Sequence, residues 1–183
     1  MKCLSIIFLI LASGIVACDQ PARGRNGVTY KSAVQYNDYI VNRQAKLIQQ
    51  VLDFAKTADT NLALAEKMLE NYVSETALTI REIEGMPAFK GDSSLREAAV
   101  RSFVFYKNVF QNDYSRIIKI RKKGAEMTEE DIEEMKSIVD KITRDEEGFD
   151  KSFHNAQNDF ADKNHVKLKE NEMQKKIDKE IDL

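Results

Sequence analysis

The sequence predicts an all-α protein: an antiparallel up-down four-helix bundle with a long fourth helix, preceded by an apolar leader and a flexible tether. Three observations carry this expectation. Apolar residues recur three and four positions apart over four long stretches, the period of an amphipathic helix. The 183 residues include only 7 Gly, 2 Pro and no Trp, too few turn formers to punctuate many short strands. The breaks between stretches are short, which sets consecutive helices side by side and antiparallel.

The first helix is expected over residues 32–56, with Val34, Ile40, Val41, Leu47, Ile48, Val51, Leu52 and Ala55 on its apolar side. A polar break follows at Ala58-Asp59-Thr60, where Asp59 is a plausible N-cap. The second helix runs to about Glu84 through Leu62, Ala65, Met68, Leu69, Tyr72, Val73, Thr76, Ile80 and Ile83. Gly85-Met86-Pro87 stops it, with Gly85 expected as a left-handed cap.

Asp92 or Ser93 caps the third helix, which continues to Arg121-Lys122-Lys123, a cationic last turn that suits the helix dipole. Thr128-Glu129-Glu130-Asp131 opens the fourth with a cap and an acidic first turn. Its seam is Ile132, Met135, Val139, Ile142, Glu146, Phe149, Phe153, Ala156 and Phe160, a heptad pattern with one charged member. Beyond Phe160 the pattern thins, so the last twenty residues are expected to overhang or fray. Residues 30–183 thus form one domain, an ordinary size for a single core.

Acidic and basic residues nearly balance, for a net charge of −2. That balance offers no global field for nucleic acid, which is excluded as a partner. The two histidines, His154 and His165, sit about 16 Å apart along one helix, too far for one metal ion, and point away from the aromatic seam. Asp162-x-x-His165 copies a di-iron spacing, but no second such helix exists. No glycine-rich phosphate loop and no Ser–His–Asp or Cys–His set can be assembled. No catalytic residue, metal or cofactor is expected.

Residues 1–17 read differently. Met1-Lys2 precedes the apolar run Cys3–Val16, CLSIIFLILASGIV. Fourteen helical residues reach about 21 Å, short of a hydrocarbon core of roughly 30 Å. A basic start, an apolar middle and small residues at the end describe a secretory signal peptide. Ile15-Val16-Ala17-Cys18 then resembles the lipobox of bacterial lipoproteins. The resemblance implies that the chain is cut before Cys18, that Cys18 carries diacylglycerol and an acyl chain such as palmitate, and that the bilayer is a partner through it. It also implies that Asp19 acts in sorting between membranes, as the residue after the cysteine does in enteric bacteria. With Cys3 removed and Cys18 acylated, no thiol remains for other chemistry. Residues 18–29, with Arg23 and Arg25, are expected to form the lipidated cysteine and a flexible linker.

One stretch carries more aromatics than a bundle requires. In SFVFYKNVF, Phe103, Tyr106 and Phe110 continue Ala99 and Ile117, while Phe105 and Val109, with Ala98, form a second stripe roughly 120–160° away at 100° per residue of a helix. The plainer reading is a helix packed between two neighbours. The sharper one is an exposed patch, Phe89, Phe105, Tyr106 and Val109, that recruits a protein partner or a second copy. Phe89-Lys90-Gly91-Asp92, Leu95-Arg96-Glu97-Ala98-Ala99 and Phe105-Tyr106-Lys107 also resemble a family of helical bacterial surface lipoproteins first named from leptospires, over about residues 29–160. That resemblance implies an envelope or surface protein and carries over no catalytic residues. The expected function is a membrane-anchored envelope lipoprotein with a non-catalytic bundle. The alternative is a bundle that binds a small ligand or cofactor between its helices.

Overall fold

The computed structural model describes residues 21–168. The cleavage, lipidation and sorting positions at residues 17–19, Cys18 and Asp19 among them, lie outside the described residues, as does the overhang from residue 169 onward.

Over these residues the protein is all-α apart from one small hairpin. Its order is β1 (Ala22–Arg23), β2 (Thr29–Tyr30), α1 (Ala33–Thr60), α2 (Leu62–Glu84), α3 (Ser94–Asn108), a π-helical segment (Val109–Tyr114), α4 (Ser115–Arg121) and α5 (Glu129–Lys163). A 3-10 turn, Gly124–Glu126, precedes α5. From α3 through α4 the backbone stays right-handed helical, so these pieces form one rod and the described residues hold four.

Helix boundaries follow side-chain chemistry. Ser32 caps α1 by accepting from the Gln35 amide. Asn61, not Asp59, caps α2: its Oδ1 accepts from the Leu64 N–H at 3.0 Å, and α1 runs on to Thr60. Only one residue separates the two helices. Asp92 Oδ1 accepts from the Ser94 N–H and opens α3. At α5 the Thr128 and Asp131 side chains each accept from the other's backbone N–H, a reciprocal box that settles two orphan donors at once.

Gly85 departs from expectation, with φ −73° and ψ −10°, ordinary right-handed values. Its need for glycine comes from outside the helix, because a Cβ there would lie 2.8 Å from the backbone nitrogen of Asn26. The positive-φ pair is instead Lys90 (51°) and Gly91 (85°), a tight turn closed by two backbone hydrogen bonds between Phe89 and Asp92.

The π segment shifts the buried face by one residue. Phe103 and Phe110, seven apart, are buried, and the helical period puts Ile117 next. Ile118 is fully buried in its place, because the wider turn has absorbed one extra residue. Ser115 Oγ donates to the Phe110 carbonyl at 3.0 Å and occupies an acceptor inside the widened turn.

Between the rods lies one core. It includes Tyr36, Ile40, Leu47 and Phe54 of α1, Ala65, Leu69 and Ile83 of α2, Leu95, Ala99 and Phe103 of α3, and Ile142, Phe153 and Phe160 of α5. α2 packs against α1 on one side and α3 on the other, and α3 packs also against α5. On α5 the seam holds from Ile142 to Phe160, but Ile132 and Val139 are half exposed, and Ile138 turns inward instead. The charged seam member, Glu146, is explained by a partner: Tyr106 donates its hydroxyl to that carboxylate.

Two further expectations need correction. The linker ahead of the bundle is not free over its described part: Ala22↔Tyr30 and Arg23↔Thr29 pair as a hairpin seated on the helices. The aromatic patch of the third rod is not exposed. Phe89, Phe105, Tyr106 and Val109 are all buried, at 3, 8, 9 and 1% exposure. The reason is that α3 is sandwiched. Phe103 and Phe110 face inward, Phe110 lying 5.6 Å from Tyr72 of α2, while Phe105 stacks on Phe149 of α5 at 4.7 Å. Both stripes therefore have a neighbour.

Candidate functional site

The most specific arrangement of polar side chains outside the core lies at the pole where the described chain begins. Asn26, at the hairpin tip, donates from Nδ2 to the Tyr30 hydroxyl at 2.7 Å and to the Glu82 carbonyl at 3.0 Å. Its Oδ1 accepts from the Val28 N–H at 3.1 Å, and its own N–H reaches the Gly85 carbonyl at 3.3 Å. One side chain thus closes the hairpin and fastens it to the end of α2. Gly24 allows the approach, since a Cβ there would meet the Gly85 carbonyl oxygen at 2.7 Å.

Beneath the hairpin is a cluster of rings. Tyr30 packs edge-on against Tyr36 (5.2 Å) and Tyr39 (5.4 Å), and Tyr36, Phe89 and Phe160 meet pairwise at 5.3–5.5 Å. Tyr36 donates to the Pro87 carbonyl at 2.9 Å. Burial pushes the Tyr30 and Tyr36 phenols up to about 12, the nearby Asn26 amide pulling Tyr30 back only in part. The Arg43 guanidinium lies 3.4 Å over the Tyr39 ring and donates twice to Glu82 Oε2. Lys163 donates to Asp92 at 2.7 Å and, with the Ser94 contacts, holds that carboxyl well below the usual carboxylate range.

Hairpin and flanks carry Arg23, Arg25 and Lys31, all exposed, and no carboxylate between residues 21 and 31. These cations were legible in the sequence. The role of Asn26 was not, because its partners lie up to 59 residues away.

The opposite pole is a charge clamp. In the run Arg121-Lys122-Lys123 each cation reaches a different helix: Arg121 pairs with Asp59 of α1 (3.2 Å), Lys122 with Glu66 of α2, and Lys123 with Asp131 of α5 (2.6 Å). The run therefore ties three helices to the end of α4, beyond complementing its dipole. Asp131 is held in its charged form first by Lys123 and then by the Thr128 backbone N–H.

Chemically reactive sets are sparse. Among the described residues no group of three His, Cys, Asp or Glu is placed to hold a metal ion, and no helix is long and apolar enough to cross a membrane. His154 and His165 are exposed. Tyr106 is pushed far above the ordinary tyrosine range by burial and by the charge of Glu146, which makes its hydroxyl a fixed donor rather than a proton source near neutral pH. Beside Phe103, the buried hydroxyl of Thr76 has no hydrogen-bond partner and adjoins a cavity of about 10 Å³ lined by Arg43, Lys46, Leu47, Gln50, Glu75 and Thr79. That volume fits one water molecule.

Compared with protein family models, curated proteins and solved structures, the chain matches none. The resemblances given above rest on the quoted residues alone. Of the residues singled out in the sequence, Phe89 belongs to the ring cluster under the hairpin, and Phe105, Tyr106 and Val109 belong to the contact between the third rod and its neighbours.

Proposed function

We propose that this is a bacterial envelope lipoprotein, anchored through acylated Cys18, whose helical domain serves as a non-catalytic structural or protein-interaction module. The observation that carries the reading is Ile15-Val16-Ala17-Cys18 placed directly after the apolar run Cys3–Val16. Residues 1–17 are the signal peptide, and Asp19 contributes to sorting. Two or more acyl chains hold a protein on a bilayer durably where one is marginal.

We infer an antiparallel up-down bundle for the domain. Arg43–Glu82 and Gln50–Glu75 run in opposite order along α1 and α2. Tyr72–Phe110 and Glu66–Lys122 do so for α2 and the third rod. Phe105–Phe149, Asp113–Lys141 and Arg116–Glu134 do so for the third rod and α5. All three sequences of pairs support reversed neighbours. A module of this kind works by presenting a rigid surface, and the rings of the third rod are spent on holding it together. The Thr76 cavity gives the ligand-binding alternative no support, since it has room for no more than one water.

Incorporation of radiolabelled palmitate tests the anchor. The wild-type chain takes the label and Cys18→Ala does not; equal labelling of the two overturns the reading.

A further inference from the structure

We infer that the hairpin pole is the face the domain turns toward the membrane, held there by a short leash and by Arg23, Arg25 and Lys31 against anionic lipid headgroups. The inference rests on the lipoprotein reading and goes beyond it by fixing an orientation and a lipid class.

The first support is length. Eleven free residues between the anchor and the bundle, 19–29, would let the domain tumble freely. The hairpin removes most of that slack, because Ala22–Arg23 already pairs with Thr29–Tyr30 and Asn26 is fastened to Glu82 and Gly85. Only Asp19 and Gln20 separate Cys18 from the described chain at Pro21. Three Cα steps reach roughly 11 Å. The acylated cysteine sits at the bilayer surface, so Pro21 lies within about that distance of it.

The second support is charge. Counterions screen a surface potential over about 8–10 Å, so only groups close to the headgroups feel it. The described segment that the leash brings to the edge of this layer, residues 21–31, has three exposed cations and no carboxylate, and Asp19 is the one acid in the leash itself. Elsewhere on this pole charges of both signs are interspersed: Asp38, Glu84, Glu97, Asp159 and Asp162 stand among Arg81, Lys90, Arg96 and Lys167, and Lys163 is paired with Asp92. The excess of positive charge is therefore concentrated in the hairpin. The far pole, at Gly124–Glu126, is removed by the length of α2, whose 23 residues span about 34 Å.

The test uses the full lipidated chain. With residues 1–17 removed and Cys18 acylated, an introduced cysteine is the one free thiol, so a fluorophore can be placed at Ala88→Cys near the hairpin or at Ala125→Cys on the far pole. Energy transfer to a headgroup-labelled acceptor lipid is then read in vesicles of phosphatidylcholine alone or with one-quarter phosphatidylglycerol. In anionic vesicles position 88 transfers strongly and position 125 at least severalfold less. Replacing phosphatidylglycerol by phosphatidylcholine narrows that gap, and so does the triple variant Arg23→Gln, Arg25→Gln, Lys31→Gln, which leaves Asn26 and the hairpin pairing in place. Equal transfer from the two positions in anionic vesicles overturns the orientation. A gap insensitive to both lipid charge and the triple variant overturns the headgroup contact. A chain that takes no palmitate label fails earlier, at the lipoprotein reading, and brings the orientation down with it.

Discussion

Asn26 Nδ2 lies 3.0 Å from the backbone carbonyl oxygen of Glu82 and 2.7 Å from the Tyr30 hydroxyl, so one amide joins a two-residue-per-strand hairpin to a 23-residue helix. Isolated hairpins this short do not hold in water. The hairpin persists because Tyr30 is buried among rings and Asn26 satisfies backbone groups at the end of α2. Asn26→Ala is expected to cost about 1–3 kcal/mol, since it leaves a carbonyl and a hydroxyl short of a partner in a partly buried place. Urea unfolding measures the loss, and tryptic cleavage at Arg23 and Arg25 should accelerate in the variant. Unchanged cleavage would mean that the hairpin is held by something other than Asn26.

Phe105 and Val104 are neighbours in sequence with opposite surroundings: Phe105 stacks on Phe149, and Val104 is exposed. Phe105→Ala should destabilise by about 3–5 kcal/mol through the cavity it leaves. Val104→Ala should fall within about 0.5 kcal/mol of wild type, as for other surface positions. Denaturant midpoints decide this. If Phe105→Ala instead left stability intact and abolished a self-association seen by light scattering, the ring would be a surface contact after all.

Thr76→Val removes a hydroxyl that is buried without a partner and keeps the shape of the side chain. The expected outcome is a gain of about 1 kcal/mol, because no hydrogen bond is lost and a desolvated polar group disappears. A scanning melt should show a rise of about 2–4 °C for a domain of this size. A clear drop would show that the hydroxyl is bonded to a water in the adjacent cavity.

All six tyrosines of the chain are shifted upward from 10, with desolvation by burial first among the causes in each; Tyr30, Tyr36 and Tyr114 reach about 12. The folded state favours the neutral phenol. Its contribution to stability is therefore complete below pH 10 and is lost as pH climbs from 10 toward 12. Absorbance at 295 nm should rise later than for free tyrosine, and most of the rise should coincide with loss of the helical circular dichroism signal. A full rise centred at pH 10 with the helix intact would contradict the buried ring clusters.

Much of the fold was legible because it is written in short-range patterns. The Thr128–Asp131 cap and the stop near Glu84 follow from residues within one turn of each other. The four rods follow from apolar spacing. Three features were not legible, each for a physical reason. Two-residue strands carry no period-2 signal, so the hairpin read as a Gly/Pro linker. A π turn adds one residue without breaking the helix, so nothing local marks the exchange of Ile117 for Ile118. Whether a second aromatic stripe faces water or a neighbour depends on what lies across from it, and Phe149 is 44 residues beyond Phe105 in the chain, beyond any local pattern. The same limit hid Asn26, and the reading of Cys18 rests on its local motif alone.

The central claim is that the mature chain begins at an acylated Cys18. Mass spectrometry of the amino-terminal tryptic peptide from the membrane-extracted protein tests it most directly. The account predicts a peptide that starts at Cys18 and ends at Arg23, carrying a diacylglycerol mass that base treatment reduces by hydrolysis of its esters. A peptide that starts at Met1 or retains Ala17, or a Cys18 with no added mass, would contradict it.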